Sequence, residues 1–186
     1  MRGFTLIELI VTITIFGIIA SLALANYPQF SQRAALTKTA QEIAMALRKA
    51  QSLSLGVRGV GTGGPLQFPS YGVQFQTASP RQFFIFADLN GNNQHDVASD
   101  VVVETFFVES TPSIFMICAG EETLSNPDCS LPAIDIVYSR PQASSQFPVV
   151  ILGAAGAVDA EIKVRNPSGT AIKTIVVWAT GQVAVR

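Results

Sequence analysis

The sequence predicts an α+β protein in which one long N-terminal helix packs on an antiparallel β-rich head. Three observations carry this prediction. An apolar run fills residues 4–25, amphipathic helical periodicity follows it, and short segments rich in β-branched and aromatic residues then alternate with Pro, Ser, Asn and Gly to the C-terminus. The chain has 186 residues, 48% of them hydrophobic, which is enough for one membrane segment and one globular domain with a core, and too little for two large domains.

The first element is the run "FTLIELIVTITIFGIIASLALA", interrupted only by Glu8 and a few Thr and Ser. As a helix rising about 1.5 Å per residue it reaches about 33 Å, enough to span a hydrocarbon core. A conventional secretory signal has a shorter apolar stretch and more positive charge before it, whereas only Arg2 precedes this one. Glu8 is the anomaly: a carboxylate at the centre of a bilayer costs about 2.5 to 3.5 kcal/mol on insertion scales, and less near the interface. Pro28 falls where the helix leaves the apolar run, and lacking an N–H it should kink or loosen the helix there.

The helix is expected to resume after Pro28. Leu36, Ala40, Ile43, Leu47 and Ala50 recur at spacings of four and three, while Lys38, Gln41, Glu42, Arg48 and Lys49 fall mostly elsewhere, so one face must pack on the head. Gly56 is the expected stop. "GVRGVGTGGPLQFPSYG" reads as an irregular connector. "YGVQFQ", "RQFFIFA", "VVVETFFVE", "AIDIVYS" and "FPVVIL" read as strands. "DAEIKVR" is the clearest, with Asp159, Glu161, Lys163 and Arg165 on a wet face and Ala160, Ile162 and Val164 on a buried one. "NPSG" turns the chain into "AIKTIVVWAT", and a last hairpin closes through Gly181 into "QVAVR". These strands are expected to run as an antiparallel meander.

The stretch "GFTLIELIVTITIFGIIASLALA" resembles the leader and N-terminal helix of type IV pilins and type II secretion pseudopilins: a Gly, an apolar aromatic directly after it, and a Glu four positions beyond. "AMALRKAQSLSLG" and the acidic "D-x-N-G" turn in the head are similar to the H-type pseudopilin and FimT-like minor pilin branch. The resemblance implies a type IV pilin-like fold, with residues 1–3 as leader, 4–25 as the transmembrane and filament-core helix, 26–55 as its amphipathic continuation and 56–186 as the head. It also implies that a prepilin peptidase cuts after Gly3 and methylates Phe4, and that Glu8 pairs with the terminal amine of Phe4 in a neighbouring subunit during assembly. Other pilin or pseudopilin subunits and an inner-membrane assembly platform are the implied partners. The protein would wait as a single-pass inner-membrane protein with its head outside the cytoplasm, then enter a periplasmic or extracellular filament.

Export makes a Cys118–Cys129 disulfide the expected state of the two cysteines, closing a polar loop at a gain of roughly 2 to 3 kcal/mol in the chain-entropy model. "DLNGNNQHD" sets Asp88, Asn90, Asn92, Gln94 and Asp96 at the alternating positions of the first half of a calcium loop. Gly91 stands too early, however, with Asn93 in the usual Gly position, and Ser99 occupies the position of the closing Glu. The preferred reading is an Asx-rich turn, with calcium as the alternative. His95 has no sequence partner for acid–base work and is expected to be solvated, and Trp178 is expected in the core. No catalytic motif is present, so the expectation is a structural subunit and not an enzyme. With a net charge of −1, and Gln182 where DNA-uptake relatives carry an Arg, nucleic-acid binding is not expected. The competing function is a membrane-tethered surface module whose head recognises calcium, glycan or DNA.

Overall fold

The computed structural model describes residues 4–56, 58–61, 66–108, 111–120, 128–139, 149–152 and 157–186. Helix α1 runs over Leu6–Leu55. Thr5 caps it from extended backbone (φ −82°, ψ 150°), its Oγ1 accepting the Glu8 N–H at 3.4 Å. Glu8 thus occupies the third helical position of a Thr-x-x-Glu capping arrangement, with its carboxylate at the positive end of the helix dipole. At the other end the Gly56 N–H donates to Ser52 O at 2.8 Å. A Cβ on Gly56 would lie 2.9 Å from that carbonyl, so this stop uses glycine for room rather than for a left-handed backbone.

The helix is not straight. Its segments Leu6–Leu22 and Tyr27–Leu55 meet at 43°. The bend sits just before Pro28, whose ring crowds the carbonyl four residues earlier and whose missing N–H breaks the ladder there. Neither segment is by itself long and apolar enough to cross a membrane, whereas the two together meet that test by length and composition.

The head contains nine strands among the described residues: β1 Ser70–Gln76, β2 Gln82–Asp88, β3 Val101–Phe107, β4 Ser113–Gly120, β5 Ala133–Tyr138, β6 Val149–Leu152, β7 Asp159–Arg165, β8 Ile172–Trp178 and β9 Val183–Val185. All pairings are antiparallel, as expected. The strands form two sheets, ordered β3-β2-β1-β5-β6 and β4-β7-β8-β9, and not one meander. The difference arises from β4, "SIFMICAG", which sequence reasoning missed because it is nearly uniformly apolar and lacks a two-residue alternation. β4 leaves the first sheet to pair with β7, and β5 then returns to pair with β1.

The predicted helix face is the buried one: Leu36, Ala40, Ile43, Leu47 and Ala50 are all at most 2% exposed. They share one core with the inward faces of both sheets, including Tyr71, Val73, Phe75, Ile85, Ile136, Ile162, Val164 and Ile175. The small Ala40, Ala46 and Ala50 let the helix backbone approach the strands closely, as dense packing requires. β7 follows its predicted alternation except at Asp159, which is buried.

Candidate functional site: a bare apolar helix and a capped sheet

The head leaves the first half of α1 without cover. Phe4 is 79% exposed, Leu6 76% and Phe16 74%, and exposed aliphatic side chains continue through Leu22 and Leu24. Thr12, Thr14 and Ser21 turn their hydroxyls back onto carbonyls three or four residues earlier, so their polar atoms are satisfied within the helix. A contiguous apolar surface of this kind marks a contact with lipid or protein. Glu8 is exposed on it. Gly3 lies outside the described residues, while Phe4 stands at the start of the bare segment.

The calcium-like loop has a definite job in the head. Asp88 accepts the Gly91 N–H at 2.7 Å through Oδ1 and the Asn93 N–H at 2.8 Å through Oδ2. Asn90 and Asn92 each accept the backbone N–H two residues on, the pattern of Asx turns, and both donate their side-chain amides to Asp96 Oδ2. Gly91 and Asn93 take the left-handed backbone (φ 75° and 64°) that such turns need. Asp100 closes the loop by accepting from Leu89 and Asp96. The oxygens expected for a cation thus serve the loop's own N–H groups, Gln94 enters as a backbone donor to Asn92, and no group of three His, Cys, Asp or Glu side chains converges on a metal position among the described residues.

The loop delivers His95 onto the outer face of the five-stranded sheet. The imidazole meets Phe84 and Phe86 edge-on, with centroids 4.7 and 5.1 Å apart, and the His95 backbone N–H donates to Asp135 Oδ2 at 3.1 Å. His95 is therefore a packed residue and not the solvated one expected, because the sheet below it is apolar on both faces. Phe86 and Val137 are buried on that outer face, and Gly72 between them has no room for a Cβ, which would lie 2.6 Å from the Phe86 ring. Burial pushes the Asp135 carboxyl above its ordinary value, with Asp100 adding to this and the His95 N–H opposing it. Asp135 Oδ1 has no hydrogen-bond partner among the described residues.

Cys118, on β4, and Cys129, just before β5, form the expected disulfide. Trp178 is half-buried instead of fully in the core, with the Arg186 guanidinium 5.7 Å above its ring. An open groove of about 310 Å³ between α1 and the β2–β3 edge is floored by Phe83 and Phe106, which stack at 5.1 Å, and Lys49 bridges it to Glu104.

A bare apolar helix with one carboxylate in its first turn, fixed to an antiparallel head, defines a helix-tethered head protein. Residues 1–24 match the prokaryotic N-terminal methylation motif. Two proteins described as probable minor fimbrial proteins from Dichelobacter nodosus are 41% and 39% identical to the chain over 64 residues, 34% of this chain and 40% of each relative. The motif and the relatives cover only the N-terminal part of the chain, and the long helix followed by an antiparallel head is consistent with a type IV pilin-like fold. The chain spans about two fifths of the length of the curated relatives it matches. No solved structure matches it.

Proposed function

We propose that the protein is a minor pilin of a type IV pilus: a structural subunit held in the inner membrane by residues 4–25 and built into a filament through the same helix. The carrying observation is the uncovered apolar half of α1, whose side chains are left exposed by the described residues of the head. The names of the two relatives favour the pilus over type II secretion. In this reading a prepilin peptidase removes Met1–Gly3 and methylates Phe4, and an assembly platform extracts the subunit. Glu8 then has two roles: it helps cap α1 within its own chain, and in the filament it meets the Phe4 amine of a neighbouring subunit. Burying that pair is favourable only while both partners are present, since breaking one costs about 3 to 5 kcal/mol.

Co-expression with a prepilin peptidase should shorten the protein by residues 1–3 and add one methyl group, read by intact mass; an unprocessed chain would sink the proposal. Glu8→Ala should still insert into membranes while losing entry into filaments, measured by the subunit's share of sheared surface fibres. Equal incorporation would remove the intersubunit role of the carboxylate.

A further inference from the structure

A second crevice, of about 370 Å³, lies between α1 and the β7–β8 turn, lined by Gln29, Gln32, Arg33, Asn166, Ser168 and Thr170. Every lining group can donate a hydrogen bond, and no carboxylate is among them. Asn166, only 3% exposed, organises the wall. Its Oδ1 accepts the Ala171 N–H at 3.0 Å, and its Nδ2 donates to Ser168 Oγ at 2.8 Å and Thr170 Oγ1 at 3.1 Å. The two hydroxyls are also within 2.9 Å of each other. One of them donates to the other, and Ser168 Oγ and Asn166 Nδ2 reach Gln32 Oε1 only at 3.4 Å, long contacts that a charged oxygen entering the crevice can replace. Across from these groups, the Arg33 guanidinium makes no ion pair among the described residues. The arrangement suits an anion carrying several oxygens, and Arg33 offers it a planar fork of donors.

Position narrows the ligand. Gln29 to Arg33 follow the apolar run by four to eight residues, about 6 to 12 Å along the axis and less in depth after the bend. This is the level of the polar layer flanking a hydrocarbon core, about 5 to 8 Å thick on each side. Tyr27 and Phe30 are 66% and 71% exposed beside it, as aromatic residues at a membrane interface are. An ethanolamine or choline headgroup would bring a cation that no carboxylate among the lining residues receives, whereas a glycerol headgroup matches their amides and hydroxyls.

Resting on the membrane anchoring proposed above, we infer that this crevice holds the phosphoglycerol headgroup of an anionic phospholipid while the subunit waits in the membrane. The net charge of −1 gives the chain no general attraction to anionic surfaces, so the preference depends on Arg33 and the turn.

The test uses the full chain in detergent micelles with equimolar phosphatidylglycerol, phosphatidylethanolamine and phosphatidylcholine, read by native mass spectrometry as retained lipid. Phosphatidylglycerol should dominate. Arg33→Gln should reduce its share about fivefold, the weight of one basic residue at an anionic surface. Ser168→Ala should reduce it less, and Arg48→Gln, an equal charge change on exposed helix outside the crevice, should not reduce it. Equal retention of the three lipids, or equal losses in the two arginine variants, overturns the site. Arg33-dependent binding of soluble glycerol 3-phosphate without any lipid preference overturns the lipid source and leaves a free phosphate ester. Failure of the wild-type chain to float with liposomes would instead overturn the anchoring itself.

Discussion

Two buried polar residues in the head behave differently and can be told apart. The Tyr138 hydroxyl is buried without a hydrogen-bond partner among the described residues, and burial pushes its pKa up. Removing an unsatisfied group relieves its desolvation, so Tyr138→Phe should be neutral or stabilising in urea unfolding, within about 1 kcal/mol. A clear loss would reveal a partner for the hydroxyl. Asp135 has one carboxylate oxygen bonded and one not. Its folded pKa lies above the ordinary 3.8, so the stability it contributes is full below that value and is lost as pH rises through the folded pKa. Asp135→Asn keeps an oxygen for the His95 N–H and removes the charge. It should therefore stabilise the head more at pH 7 than at pH 4, and the reverse order in unfolding midpoints would refute the burial account. Neither burial is legible in the sequence, where "AIDIVY" reads only as a strand with an Asp inside it and a Tyr at its end. What buries Asp135 is a loop some forty residues away. Glu8 is legible as an anomaly by its charge, whereas its local setting, three residues after the capping Thr5, is carried by spacing alone.

Among the elements, periodicity decided what could be seen. The helix face from Leu36 to Ala50 and the buried face of β7 were readable because a single surface is apolar, which stamps the period of the backbone onto the sequence. β4 and the outer face of the first sheet were not, since apolar residues on both sides erase that stamp. The loop of Asp88 to Asp100 is what makes the second face possible: its Asx turns aim His95 at Phe84 and Phe86. Gly72→Ala tests this packing. The added methyl must push Phe86 or Val137 outward, and overpacking of that kind costs about 1 to 3 kcal/mol in urea unfolding. A smaller loss would mean that the outer layer yields easily. The bend in α1 belongs to this scale as well, and Pro28 announced its place.

At the scale of the molecule, the α+β class and the helix-plus-head division were plain in the order of patterns along the chain, while the split into two sheets was hidden in long-range pairing. The disulfide acquires a meaning that its spacing did not convey, because Cys118 belongs to one sheet and Cys129 leads into the other. Replacing both by Ser should lower stability by roughly 2 to 3 kcal/mol, given a sequence separation of 11 residues. Urea unfolding of the double variant measures it, and an unchanged midpoint would show that the shared core alone holds the sheets together. That core also settles how the molecule bears force. Residues 6–22 form a handle that joins the buried shaft at 43°, so tension drawn along the shaft axis runs lengthwise along the seam of Leu36, Ala40, Ile43, Leu47 and Ala50. Loaded in shear, those contacts resist together instead of peeling apart one by one, and the head tolerates traction along the shaft better than a sideways tug.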